Sequence, residues 1–169
     1  MCYSEKEIRP AGHSDMRGCL MREESEAIEL KTILIAVDGS EHSNKAVRYA
    51  CTIGSAMGAE ILLLHVVPML VSATPYHDTV SDQPFLALQK VGEDILARAT
   101  NVVSSLNCKV TELLSHGDPA NQIISIAEDR GANLIIIGSR GLSGWKRMFV
   151  GSISDKVASH ASCPVMIVR

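Results

Sequence analysis

Aromatic residues are scarce in this chain: one Trp, three Tyr and two Phe make up 4% of 169 residues. Single strands of nucleic acid are held by bases stacked on aromatic rings inside a basic groove, and the basic groove is missing too. Lys and Arg number 16 against 19 Asp and Glu, and residues 1–30 hold four of the basic and seven of the acidic ones. The remaining 139 residues are formally neutral, with twelve of each sign, so no basic face is available for phosphate backbones. Nucleic acid is excluded as a partner on both counts. Long apolar runs are also absent. None approaches the ~20 residues that span a bilayer, so no membrane helix is expected. The N-terminal MCYSEKEIRPAGHSDMRGCLMREESE lacks the apolar segment of a secretory signal. Five cysteines (Cys2, Cys19, Cys51, Cys108, Cys163) make an odd count with no C-x-x-C pair. That argues against a disulfide framework or a zinc site and fits a reducing cytoplasm.

Three missing motifs narrow the chemistry further. No G-x4-G-K-[S/T] occurs, against a P-loop NTPase. No G-x-G-x-x-G follows the first apolar run, against a dinucleotide enzyme. The GSRG at 138–141 is not G-x-S-x-G, so there is no hydrolase nucleophile elbow.

What is present is a regular alternation. Residues 1–30 read as a polar, acidic leader with poor order, apart from a short helix within MREESEAIEL, and a start at Met16 or Met21 would shorten it. The domain is expected over 31–169. Thr32–Val37 reads as a buried strand ending at Asp38-Gly39-Ser40. A helix follows, capped by Ser40 or Ser43, with Val47, Ala50, Cys51, Gly54 and Met57 on its inner face and Gly58 as its stop. Glu60–Val67 is a second buried strand, and the connection from Pro68 to Pro84 has the length of a functional lid or mobile segment. Phe85–Leu106 reads as the longest helix, with Leu88, Val91, Ile95, Ala99, Val102 and Leu106 at spacings of three and four, on one apolar face. Lys109–Ser115 alternates weakly, as a strand toward a sheet edge does. Asp118-Pro119 is an N-cap followed by proline at the first helical position, opening a helix that Gly131 stops. After a fourth strand, a glycine loop and a fourth helix, Val165–Val168 forms the last strand. The order β-α-β-α-β-α-β-α-β with apolar strands gives an α/β fold: a parallel sheet doubly wound with helices on both faces.

The stretch Leu134–Ile153, LIIIGSRGLSGWKRMFVGSI, organises the rest. A buried strand breaks into Gly138, Gly141 and Gly151-Ser152, and SISDKVASHA then opens a helix that Ser152 or Ser154 can cap, with Ile153, Val157 and Ala161 at helical spacing. Glycines open backbone angles and let a ligand approach the main chain. Helix N-terminal amides with the helix dipole favour an anion. Arg140, Lys146 and Arg147 add positive charge, and no acid lies between Gly138 and Ser154. The stretch reads as a phosphate cradle. Trp145 is either a packing anchor or an exposed lid residue.

At these residues the chain resembles the universal stress protein family. Gly138, Gly141, Gly151 and Ser152 match G-x2-G-x9-G-[S/T], the phosphate-loop pattern of that family's ATP-binding branch. ILIAVDGSEHS, LLLHV and the closing CPVMIVR match elsewhere, so the resemblance covers Lys31–Arg169. It implies a Rossmann-like sheet of order 3-2-1-4-5, similar to the adenine nucleotide α-hydrolases, with the first and fourth strands adjacent and their loops facing one crevice. The implied ligand is ATP or another adenine nucleotide with Mg2+ (Mn2+ as a substitute). Asp38 would meet the ribose or the metal, and the main chain near Ala36 and Val37 would meet the base. Family members often carry proline where this chain has Ala36. Val66 matches the residue that frames the base. Gly138, Arg140, Gly141, Gly151, Ser152, Ile153 and Ser154 would hold the phosphates. His65 reads as a satisfied strand-end histidine. A homodimer through Val165–Val168 is implied as well, and no dedicated enzyme: slow ATP hydrolysis aside, no activated-water partner is evident. Two other readings remain open. One is an enzyme of a related α/β fold acting at the α-phosphate through Asp38-Gly39-Ser40, although that class carries SGG-x-DS where this chain has VDGS. The other is a dimeric scaffold without a ligand.

Overall fold

The computed structural model describes residues 29–69, 83–104, 108–141 and 151–169. The leader up to residue 28, most of the Pro68–Pro84 connection, Leu106, Trp145, Lys146 and Arg147 lie outside them. The elements are β1 (Thr32–Ala36), α1 (Glu41–Met57), β2 (Glu60–Val67), α2 (Gln83–Ser104), β3 (Val110–His116), α3 (Pro119–Asp129), β4 (Leu134–Gly138), α4 (Ser152–His160) and β5 (Val165–Val168). All four strand pairings are parallel and the order is β3-β2-β1-β4-β5. This is the doubly wound sheet expected, with β1 and β4 side by side where the strand order reverses.

Strand alternation sorts the core into two layers. Ile33, Ile35, Ile61, Leu63 and Ile136 point to one face, where α1 and α2 cover them. Leu34, Leu62, Leu64, Ile135 and Ile137 point to the other, where Ile123 and Ala127 of α3 and Val157 of α4 cover them. Most of these strand side chains are fully buried, each contributing about 1.5–3 kcal/mol. The edge strand β3 is only half-buried along its length, in keeping with its weak alternation.

The helix ends follow local chemistry. Ser40 caps α1, accepting the Ser43 amide on Oγ at 3.2 Å, and Gly58 closes it in the left-handed region at φ 68°. Asp118 caps α3, accepting from the Asn121 amide at 3.0 Å, with Pro119 at the first helical position. Three expectations are corrected. Met57, Leu88 and Val91, read on the apolar faces of their helices, are exposed, at 52%, 38% and 52%. In α2 the inner stripe is Gly92, Ile95, Leu96, Ala99 and Val103. Neither Ser152 nor Ser154 caps α4; its N-cap is Gly151, with no side-chain cap at all. None of Gly138, Gly141 and Gly151 uses a backbone angle reserved for glycine, since the positive φ values fall on Gly39, Gly58, Gly117 and Gly131.

Candidate functional site

The carboxyl ends of β1, β2 and β4 open into one cavity of about 340 Å3. Every residue expected at the site lines it: Ala36, Val37 and Asp38 after β1, Val66 on β2, Gly138, Arg140 and Gly141 after β4, and Gly151, Ser152, Ile153 and Ser154 at the start of α4. Sequence reasoning missed the apolar wall. Leu88, Val91 and Ile95 of α2 line one side and Pro119 and Ile123 of α3 the other. Leu88 and Val91 face the cavity and not the core. Apolar residues in the N-terminal half of a helix that follows a strand were the available signal.

The glycines serve by leaving space. A Cβ on Gly141 would lie 2.7 Å from Asp38 Oδ2, so the loops after β1 and β4 touch where the carboxylate meets the bare glycine. A Cβ on Gly138 would lie 2.8 Å from the Ser43 amide nitrogen, so this glycine also lets β4 end against the backbone of α1. At Gly151 the nearest atom would be the Ser139 carbonyl, at 3.2 Å. That carbonyl closes the neck of the β4–α4 loop, accepting the Gly151 amide at 2.8 Å and Ser154 Oγ at 3.3 Å. The Ser154 side chain is therefore spent on the neck, and only its backbone belongs with the first turn of α4. Because no side chain caps α4, the amides of Ser152, Ile153 and Ser154 have no acceptor from a capping residue and none within their own helix. Arg140 contributes a buried Nε that finds no hydrogen-bond partner among the described residues, and such a donor calls for an acceptor.

On the β1 side, Asp38 Oδ1 accepts the Ser40 amide at 3.0 Å. Ser40 Oγ donates in turn to the Arg140 carbonyl at 3.2 Å, tying the two loops together. Val37 is already engaged: its amide donates to the Leu64 carbonyl at 2.8 Å and its carbonyl accepts His65 Nδ1–H at 2.7 Å. The His65 tautomer is fixed by that bond, and the residue is satisfied as expected. Gly92 makes room for the imidazole, since a Cβ there would lie 2.7 Å from His65 Cδ2. Among the described residues no group of three His, Cys, Asp or Glu side chains is placed to hold a metal. Among the described residues Asp38 is the single carboxylate lining the cavity. Magnesium binds through one or two carboxylates plus substrate phosphates. No described helix is long and apolar enough to cross a membrane.

Comparison with known proteins places the chain in a family. The profile of the Universal stress protein family matches residues 29–169. Universal stress protein YxiE of Bacillus subtilis is 34% identical over 148 residues, covering 81% of this chain and 97% of the relative. The structure is similar to that of universal stress protein UspA from Lactobacillus plantarum, with a TM-score of 0.65 and 26% identity over 83% of this chain and 99% of that one. Two further solved structures share the fold, at 23% and 20% identity. One is a universal stress protein in complex with cAMP, with a TM-score of 0.65 over 83% of this chain and 98% of that one. The other is a universal stress protein from Archaeoglobus fulgidus in complex with dAMP, with a TM-score of 0.61 over 85% of this chain and 100% of that one. On sequence and fold alike, the chain belongs to the universal stress protein family.

Proposed function

We propose that the crevice between the loops after β1 and β4 binds an adenine nucleotide, ATP foremost, and that the protein acts as a nucleotide-dependent regulator in the cytoplasm. The observation that carries this reading is the convergence on one cavity of the uncapped α4 amides and of Arg140 Nε, which has no partner among the described residues. Phosphates complete both sets of hydrogen bonds, and the helix dipole favours their charge. The apolar wall suits a purine, framed by Val66. Because both main-chain groups of Val37 are engaged, the base is read mainly from the β2 side, and Ala36 and Val37 supply surface. Asp38 takes the ribose or, with the phosphates, Mg2+ or Mn2+. The cAMP and dAMP complexes of fold relatives support an adenine nucleotide as the ligand class.

Dedicated catalysis is not part of the proposal. Among the described lining residues the titratable side chains are Asp38, His65 and Arg140. His65 is held by Val37, and Asp38 has the Ser40 amide on one oxygen and Gly141 against the other. Among the described residues no free base is left beside the phosphates to activate water, so the proposal assigns only slow, metal-dependent hydrolysis. The chain is further proposed to pair as a homodimer through the open edge of β5.

Calorimetry with ATP, AMP and cAMP, each with and without magnesium, tests the site. Gly141→Val with Gly151→Val should abolish binding while the fold survives, because the side chains fill phosphate space and press on Asp38 and the Ser139 carbonyl. Each charge-assisted hydrogen bond lost is worth about 1.5–3 kcal/mol, so the loss should span orders of magnitude. Asp38→Asn should cost less and act mainly on the magnesium dependence. Gly138 is not a clean probe, since any side chain there strikes α1. Wild-type affinity for all three nucleotides weaker than millimolar, or normal binding by the double variant, would refute the reading.

A further inference from the structure

One chemically active pair lies outside the crevice. Cys51 sits fully buried on the inner face of α1, and Cys108 sits half-buried just before β3. Both are thiols and both belong to the same core layer, whereas Cys163 packs on the opposite face of the sheet. The pair meets where the residues leading into β3 pass α1. Cys108 Sγ donates to the Cys51 carbonyl at 3.4 Å and lies 3.0 Å from Ser55 Oγ, one helical turn further along α1. Burial first, and the adjoining Cys108 thiol second, push the Cys51 thiol up to about 12. Cys51 is thus a protonated, shielded thiol held beside a more accessible one.

We propose that Cys51 and Cys108 form a reversible disulfide when the protein meets hydrogen peroxide, stapling α1 to the start of β3. The accessible sulfur reacts first. Cys108 attacks one peroxide oxygen, the O–O bond breaks, and Cys108 sulfenic acid and one water result. The Cys51 sulfur then attacks the Cys108 sulfur, the S–O bond breaks, and the hydroxyl leaves with the Cys51 proton as a second water. Two thiols are oxidised and one peroxide is reduced. A neutral thiol is a poor nucleophile, so the second step relies on contact rather than intrinsic reactivity and runs over minutes to hours. The bond joins residues 57 apart in sequence, enclosing all of β2 and α2. Restricting so long a loop in the unfolded chain raises stability, so the staple hardens the fold under oxidation. The inference does not depend on nucleotide binding.

The test uses the full chain, treated with graded hydrogen peroxide, blocked with iodoacetamide, digested without reduction and analysed by mass spectrometry. A crosslinked peptide pair holding Cys51 and Cys108 is expected, with Cys163 still alkylated. The thermal midpoint should rise by about 5–15 °C, and dithiothreitol should reverse it. Cys108→Ser, at the accessible end, should fold normally and lose both the crosslink and the rise, and Cys51→Ala should lose the crosslink and leave Cys108 oxidised alone. Cys108 recovered as sulfinic acid in the wild type, a crosslink to Cys2 or Cys19 instead, or a thermal rise that survives in Cys108→Ser would overturn the proposal.

Discussion

Ser40 joins three parts of the crevice through one small side chain and its own peptide. Its amide orients Asp38, its Oγ caps α1, and the same hydroxyl donates to the Arg140 carbonyl on the opposite loop. The capping role is visible in the sequence because a serine precedes a helical pattern. The tie to residue 140 is not, since it depends on β1 and β4 being neighbours. Ser40→Ala should cost about 1–2 kcal/mol by urea denaturation, of which a lost cap accounts for about 1. Ser40→Thr, which can cap and donate, should restore most of it. A fully stable alanine variant would mean that the cross-loop bond contributes nothing.

Among the elements, the strands were legible nearly to the residue. Four- to eight-residue apolar runs bounded by glycine, proline and aspartate admit few other readings. Helix α3 was equally plain, because Asp118-Pro119 is a start signal with its own mechanism. Helix α2 was misread at its N-terminal half. Leu88 and Val91 follow the helical period but are exposed and line the cavity instead of the core. Periodicity marks a face and not what the face meets. The capping of α4 was misassigned because two serines suggested side-chain caps, whereas Gly151 leaves the first turn uncapped. Asp118 also carries a pH prediction. The Asn121 amide first, then Lys156 at 3.1 Å, hold its carboxyl below the ordinary 3.8. A depressed carboxyl adds stability that is present above its unfolded value and is lost as pH falls through the folded one. Asp118→Asn keeps a good cap, so it should change little at pH 7 and flatten the decline in thermal midpoint from about pH 5 downward. An acid limb identical to wild type would show that the capping carboxylate gives no pH-dependent stability.

At the scale of the whole molecule, the meeting of the β1 and β4 loops follows from strand order. Apolar runs cannot supply that order, and only the family resemblance implied it. The same order leaves β5 at the edge of the sheet, and among the described residues no strand pairs with its outer side. The ladder to β4 shows which groups stay open. Ile135 and Ser139 donate to the Pro164 and Val168 carbonyls, so by alternation the backbone groups of Val165 and Ile167 point outward. An uncovered apolar edge of this kind invites pairing with another chain, and a second copy meeting it across a two-fold axis closes both edges at once. Val168 is 4% exposed and belongs to the core, so a charge there would damage the fold before it tested an interface. Ile167→Pro is the cleaner probe, because proline removes an outward N–H that no described residue bonds and is tolerated on edge strands. Sedimentation equilibrium should show a dimer for wild type at micromolar concentration and a shift to monomer for Ile167→Pro, with the circular dichroism spectrum retained. A wild-type monomer, or a folded proline variant that remains dimeric, would place the contact elsewhere or remove it.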